Sequence, residues 1–469
     1  MPFLENIIKY NSKTAIICEN KERVDYKTLI HNSEKFLKNI KERSLVFLLS
    51  GNNFETIVSY IGLLKSNCVI VFINENTNFQ SLKKLINIYK PHYIFGKKKK
   101  IKFLANYILC FSYFDYSLLK IKKENKIKIH DQLKIMMPTS GSTGSEKYVR
   151  LSEINLVSNT KSIIRYLKIN QNDIAITTLP ISYVYGLSII NTHLHQGSSI
   201  VLNNQTILSK KFWKILNELK ITNFNGVPYI YEILDRLKFE SLDFKNIRYF
   251  TQAGGKLNNY LSNKFINYCK KNNKKFYTMY GSAEATARMS YVPWKYATKK
   301  VGSVGLPISG GKFWLEKNKK KINKSNVEGE LVYSGKNVSM GYALNINDLS
   351  KGDNNHGILR TGDIAKKDSN NYYYIVGRKD RYVKIFGNRV NLFELEQIIF
   401  KLNTKSVCFL NDTNKIDIYV TINKKRNNEI IKLLNKYTDL HPTVFKIINV
   451  KSLPLNKNLK ISYNLKKYE

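Results

Sequence analysis

At 469 residues, with 43% hydrophobic and 12% aromatic side chains, the chain can bury more than one core and is too long for a single typical domain. Its net charge of +42 would attract any polyanion, yet only 12 of its 77 basic residues are arginine; that lysine bias is what an AT-rich coding sequence produces, and no nucleic-acid partner is expected. Five scattered cysteines without metal-type spacing suggest neither a disulfide framework nor a zinc site; residues 1–17 carry Glu5, Lys9 and Lys13 and no run of about 18 apolar residues occurs, so an unexported, cytoplasmic protein without a transmembrane segment is expected.

Taken in chain order, the apolar runs 45–49 and 68–73 read as strands that bracket a helix over 54–64, where Ile57, Val58, Ile61 and Leu64 recur at helical spacing. The pattern repeats through 82–88, 93–95 and 107–111, which predicts a largely parallel sheet covered by helices. Next comes Thr139-Ser140-Gly141-Ser142-Thr143-Gly144-Ser145-Glu146-Lys147. Glycine lets the backbone approach phosphate oxygens, the hydroxyls donate to them, and Lys147 adds a mobile cation. The strand-like 148–151 that follows, and a lysine three residues past Gly144, separate this loop from a Walker loop. His193 and His195 have no nearby Cys or acidic partner and read as structural. After about Trp294 the texture turns to short strands with Gly turns, a boundary candidate falls at 377–381, and 391–402 patterns as a helix whose Glu394 and Glu396 read as face charges. The lysine runs 97–100 and 120–128 read as solvated loops or edges.

Several motifs then stand in one order along the chain: the loop 139–147, Tyr280-Gly281-Ser282-Ala283-Glu284, Thr361-Gly362-Asp363, Gly377-Arg378-Lys379-Asp380-Arg381, Lys384 through Gly387 to Arg389, and Pro454 to Lys460. Flanking them are Leu179-Pro180 to Gly186, Gly226-Val227-Pro228, Ala253-Gly254-Gly255 and Gly341-Tyr342. This set resembles the adenylate-forming superfamily of acyl- and aryl-CoA synthetases, peptide-synthetase adenylation domains and luciferases. The resemblance implies an α/β fold: a large N-terminal domain, 1–376, with αβαβα layers and a small distorted β-barrel subdomain at about 295–376. A small mobile α+β C-terminal domain, 377–469, would swivel about Asp380.

The implied reaction joins a carboxylic acid to ATP as an acyl-adenylate, with Mg²⁺ as the metal and pyrophosphate leaving, and then passes the acyl group to a phosphopantetheine thiol of coenzyme A or a carrier protein. Two anions must meet at the α-phosphate, so positive charge is needed there. By the resemblance, Lys460 bridges carboxylate and α-phosphate, Glu284 holds Mg²⁺ with Thr143 beside it, and Lys384 serves the thioester step. ATP would be gripped by Thr139, Ser140, Gly141, Ser142, Thr143, Gly144 and Lys147. Tyr280 and the Ala253-Gly254-Gly255 backbone would form the adenine slot, Gly281 and Ser282 would also contact ATP, and Asp363 and Arg378 would take the ribose. Ser182, Tyr183, Tyr185, Asn225 and Tyr229 would line the acid pocket.

Four departures from the family pattern are Glu146 in place of Pro, Tyr148 in place of Gly, Ala283 in place of Thr, and Leu459 in place of the Gly before the C-terminal lysine, where leucine calls for an ordinary backbone conformation. Residues 181–186 offer no acid for an α-ammonium, which favours a small carboxylic acid without a free amino group. No carrier domain is fused before Glu469, so a separate acceptor, coenzyme A or a carrier protein, is expected. Two other readings fit the same residues: an amino-acid-adenylating ligase for a carrier protein, and a catalytically impaired homologue that binds nucleotide or a partner.

Overall fold

A computed structural model of the chain describes residues 6–468 apart from 42, 124–125, 140–146, 386–387, 439, 457–458 and 465–467; at 388 and 389 only the backbone is described. The chain divides into two compact units, the first made of residues 1–139, 146–312 and 334–359, the second of 140–145, 313–333 and 360–469.

The first unit is built on two sheets. Four parallel strands form the middle of an eight-stranded sheet: Leu133–Pro138, Val69–Asn74, Leu45–Ser50 and Tyr93–Lys97, in spatial order. Their side chains are buried almost without interruption, the pattern of strands covered on both faces. The expected parallel pairing holds for that middle only. Tyr107–Tyr113 and Tyr116–Ile121 run antiparallel at one edge, because Phe114 and Asp115 between them can only close a hairpin, whereas a parallel pair needs a long crossover. At the other edge Tyr148–Ser152 and Tyr342–Ala343 are also antiparallel.

The second sheet has nine strands. Its parallel part includes Ile174–Ile176, Asn223–Gly226, Tyr249–Gln252 and Lys275–Tyr280. The last three are in register, Gly226 beside Gln252 and Gln252 beside Thr278, so the loops that follow them leave from one edge of the sheet. The carboxyl edge of a parallel sheet is where such folds take ligands.

Two helices separate the sheets. Phe54–Lys65, capped by the Asn53 side chain, is buried from Thr56 to Leu64, and Val184–Gln196 from Val184 to His195. A helix buried around its whole circumference has protein on every side. The first packs on Leu45–Ser50 and Val69–Asn74, the second on Ile174–Ile176 and Ser199–Val201, and the Tyr60 hydroxyl joins them by donating to Asn191 Oδ1 at 2.8 Å.

In the second unit a five-stranded sheet takes the order Lys320–Ile322, Lys312–Lys317, Gly329–Ser334, Ile358–Lys367, Tyr373–Arg378. Its two end strands are not paired with each other among the described residues, so the expected distorted barrel is an open sheet. The turn Lys379–Arg381 leads to a hairpin of Tyr382–Ile385 and Asn388–Asn391. Helices Leu392–Ile399 and Asn427–Tyr437 then pack with the sheet of Ser406–Leu410, Ile416–Val420 and Phe445–Asn449 over a shared apolar core. The architecture is mixed α/β with a large N-terminal and a smaller C-terminal part, as the sequence pattern implied.

Candidate active site

In the first unit, the neck of the hydroxyl-rich loop is closed by the Thr139 N–H donating to the Lys147 carbonyl at 2.8 Å. Ser140, Gly141, Ser142, Thr143 and Gly144, the rest of the predicted phosphate grip, lie outside the described residues, as does Glu146. Tyr148–Ser152 beyond the neck is a strand, not the helix of a Walker loop. Lys147 is exposed and its Nζ lies 5.9 Å from the centre of the Tyr342 ring. The Tyr342 hydroxyl in turn donates to Glu284 Oε1 at 2.8 Å, which joins Lys147, Tyr342 and Glu284 in one chain of contacts. Tyr342 is itself held by buried Arg150, whose guanidinium donates to the carbonyls of Met340, Tyr342 and Lys351 and to Asn354 Oδ1.

Glu284 sits on a short loop that folds hard against itself. Lys275–Tyr280 ends at the expected tyrosine, and a Cβ on Gly281 would stand 1.9 Å from the Ala287 carbonyl oxygen, so only glycine fits there. Thr286 and Ala287 have φ of 61° and 138°, conformations that side chains with a Cβ rarely adopt. What holds them is a set of hydrogen bonds. Asn337 Nδ2 donates to the carbonyls of Ala285 and Arg288, Asn159 Nδ2 donates to that of Arg288, and Thr286 Oγ1 donates to that of Asn337. Strain of roughly 1–3 kcal/mol per residue that survives only because its surroundings over-determine it is a mark of working loops.

Behind the loop runs a buried polar chain. Tyr185 donates from its hydroxyl to Thr251, whose hydroxyl donates to Asn225 Oδ1 at 2.6 Å; Asn225 Nδ2 donates to Asn223 Oδ1 at 2.7 Å, and Asn223 Nδ2 meets His193 Nε2 at 3.1 Å. His193 Nδ1 faces the Ile189 carbonyl at 2.9 Å, so that nitrogen carries the proton and the ring is neutral, a structural histidine as its surroundings in sequence implied. Tyr185 and Asn225, both expected in the acid pocket, thus have their polar groups engaged in this chain and present ring and backbone instead. Ser182 Oγ takes a long hydrogen bond of 3.4 Å from Asn74, Tyr183 meets Tyr185 edge to face, and Tyr229 is half-buried at the start of Pro228–Arg236. Gly254, at φ 86°, and Gly255, where a Cβ would lie 3.2 Å from Pro228 Cγ, form the turn after Tyr249–Gln252.

One cation ends the polar chain. Arg288 is 2% exposed, and its guanidinium lies 3.9 Å over the Tyr185 ring. It donates to the Ala287 carbonyl at 3.2 Å and approaches Met279 Sδ at 3.4 Å. A cation–π contact out of water gives about 2 kcal/mol, against an effective penalty of several kcal/mol for burying an ion.

In the second unit Asp363 and Arg378 face each other across neighbouring strands with Nη1 to Oδ1 at 3.5 Å, and Arg378 Nε also donates to Asp380 at 3.1 Å. Lys384 is exposed on the hairpin strand, opposite Arg389; Gly387 lies outside the described residues. Lys460 follows a tight turn in which its N–H donates to Asn456 Oδ1 and its carbonyl accepts from the Asn456 N–H. Leu459 has φ 58°, so the leucine takes the left-handed conformation after all, which costs about 1–2 kcal/mol that glycine would not incur. Glu396 is not the face charge its helical spacing implied. It is buried, contacts Arg381, accepts the Cys408 N–H at 2.9 Å and accepts the Tyr463 hydroxyl at 3.1 Å.

Residues 3–343 match the family model described as "AMP-binding enzyme". The chain belongs to the AMP-binding enzyme family. Oxalate–CoA ligase of Arabidopsis thaliana is 27% identical over 270 residues, 56% of this chain and 52% of that protein, so the chain spans about half the length of this relative. D-alanine–D-alanyl carrier protein ligase of Staphylococcus aureus is 25% identical over 404 residues, 82% of this chain and 79% of the ligase. Among solved structures, O-succinylbenzoate coenzyme A synthetase of Bacillus subtilis in complex with AMP superposes with a TM-score of 0.80 over 98% of this chain and 97% of that one, at 18% identity. That likeness is one of fold.

For an AMP-binding enzyme the donor set around Glu284 suits magnesium. The carboxylate has no lysine or arginine partner among the described residues, and its second oxygen and remaining lone pairs are available to a hard cation. No group of three His, Cys, Asp or Glu forms a protein cage among the described residues, and magnesium is usually held by one or two carboxylates plus substrate phosphates. Three residues around this candidate site escaped sequence reasoning, Thr251, Asn337 and Arg288, and Tyr342 stood out only as part of a flanking match, with no role assigned to it. For Arg288 a signal existed, since it is one of only 12 arginines in a lysine-rich chain and stands four residues past Glu284.

Proposed function

We propose that this AMP-binding enzyme activates a carboxylic acid as its adenylate and hands the acyl group to a phosphopantetheine thiol. The observation that carries the reading is Glu284: a half-buried carboxylate without a protein counter-ion among the described residues, on a strained loop at the carboxyl edge of a parallel sheet, linked through Tyr342 to Lys147 at the neck of a hydroxyl-rich loop. Bound there, magnesium would neutralise phosphate charge. A carboxylate oxygen of the acid attacks the α-phosphorus of ATP, the bond to the oxygen bridging to the β-phosphate breaks, and pyrophosphate leaves. Lys147 and the loop 139–147 hold the leaving phosphates, Asp363 accepts from the ribose hydroxyls with Arg378 beside it, and Lys460 spans the two anions as they meet. In the second step the thiol gives its proton to solvent, its sulfur attacks the acyl carbon, the bond to the adenylate oxygen breaks and AMP leaves. Lys384 belongs to the face used then, and Asp380 to the turn about which the C-terminal domain, 377–469, would swivel between steps.

Support for an acid lacking an α-amino group comes from residues 181–186, which contain no carboxylate, and from buried Arg288, whose charge would repel an ammonium. The acceptor is coenzyme A or a separate carrier protein; one relative's name carries each. Among the described residues no helix is long and apolar enough to cross a membrane, and the five cysteines are free; we place the reaction in the cytoplasm, where both co-substrates are made.

The test is isotope exchange between pyrophosphate and ATP on purified protein over a panel of short, aromatic, hydroxy, amino and fatty acids. Acid-dependent exchange is expected, falling about 100- to 1000-fold in Glu284→Ala and in Lys460→Ala with no change in melting temperature. Nucleotide binding without exchange for any acid would instead favour a binding protein.

A further inference from the structure

We infer that Arg288 receives a second carboxylate of the acid, so that the substrate of this site is a dicarboxylate and not a simple fatty or amino acid. The inference rests on the acid-activating reading above and goes on to specify its substrate class. The neighbours of the guanidinium among the described residues include four neutral groups: the Tyr185 ring at 3.9 Å, Met279 Sδ at 3.4 Å, the Ala287 carbonyl at 3.2 Å and the Tyr166 hydroxyl. Among the described residues no aspartate or glutamate pairs with it, although the side chain is 2% exposed.

Arg150 supplies the comparison inside the same unit. It too is buried, but its fork is spent on three carbonyls and an amide oxygen, and it pins the segment that carries Tyr342. A guanidinium whose described partners are one carbonyl, a thioether sulfur and a tyrosine hydroxyl has no charged partner among them, and the planar group that matches its fork in both geometry and charge is a carboxylate.

Placement decides which carboxylate. Glu284 and Arg288 are four residues apart on one strained loop and face different neighbours. Glu284 meets Tyr342 and, through it, Lys147, the phosphate side; Arg288 lies on Tyr185, the end of the buried chain through Thr251 and Asn225. The carboxylate that reacts belongs with the phosphates, so Arg288 serves the far end of the substrate. An aliphatic tail in that position would leave the charge dry and unpaired, and an ammonium would be repelled.

Matched pairs of acids test this: butanoate against butanedioate, pentanoate against pentanedioate, and benzoate against benzene-1,2-dicarboxylate, each assayed by pyrophosphate exchange. The wild-type enzyme is expected to prefer the diacid of at least one pair by about 100-fold or more in kcat/KM, because a site built to pair a polar group rejects an analogue that lacks it. In Arg288→Met that preference falls to near unity, mostly through KM, and Arg288→Lys restores part of it. A measurement on wild type alone guards against variants that fail to fold: with a non-hydrolysable ATP analogue present, the diacid raises the melting temperature and its monoacid partner does not. Exchange supported by monoacids as well as by their diacid partners overturns the inference and leaves acid activation standing. Exchange with neither kind of acid overturns both.

Discussion

Two arginines in one unit do opposite work. Arg150, buried with its donors on the carbonyls of Met340, Tyr342 and Lys351 and on Asn354, is a strut: it holds the segment that presents Tyr342 to Glu284. Arg150→Ala leaves several carbonyls without donors at about 1–3 kcal/mol each, so the apparent melting temperature is expected to fall by roughly 5 °C or more, read by calorimetry against wild type. An unchanged melting temperature would mean that water replaces the strut. Arg288 reaches one carbonyl, that of Ala287, where Arg150 reaches three. Both residues are conspicuous in hindsight for one physical reason: where composition drifts to lysine, arginine stands out at places where a planar fork is used, and Arg248 on Asp173 and Arg381 on Glu396 fit the same rule. Residue types alone could not say whether a given fork is spent or held in reserve, because that depends on carbonyls 190 to 204 positions away in the chain. Leu459 carries a similar lesson, since a local rule against left-handed leucine was overridden by the turn that Asn456 ties around Lys460.

At the scale of elements, the buried helix Val184–Gln196 carries a group that makes the fold sensitive to acid. Burial pushes the His193 imidazole below its ordinary 6.5. Below that pH the unfolded chain takes up a proton that the folded one refuses, so the histidine's contribution is fully present above about 6.5 and is lost as pH falls beneath it, at up to about 1.4 kcal/mol per pH unit. Melting temperatures at pH 7.5 and 5.5 should therefore drop further for wild type than for His193→Gln; equal drops would place the acid sensitivity elsewhere. The strands of the parallel core were legible from their unbroken apolar runs, and Phe54–Lys65 from its period. The hairpin at Phe114 was not, because an apolar run does not say which way a strand points. Glu396 was misread because helical spacing assigns a face but cannot say what covers it, and here the cover includes Tyr463, 67 residues along the chain. The motif residues could be seen in order, yet the geometry that makes Gly281 obligatory, a carbonyl at 1.9 Å from its missing Cβ, arises only once the loop has closed.

At the scale of the whole molecule, the proposed chemistry divides between the two units: Tyr280, Glu284, Lys147 and Arg288 stand in the first, Asp363, Arg378, Lys384 and Lys460 in the second. The residues proposed for adenylation thus come from motifs spread over more than 300 residues of the chain, from Thr139 to Lys460. The surplus of lysine favours acidic acceptors in general and does not choose between coenzyme A and a carrier protein. The most direct test of the central claim is the fate of a carboxylate oxygen. With the acid that supports exchange prepared with ¹⁸O in its carboxylate, and thiol acceptor present, mass spectrometry should find one labelled oxygen in the AMP formed and none in pyrophosphate. Label in orthophosphate, with ADP as the nucleotide product, would contradict an acyl-adenylate and with it the reading of this site.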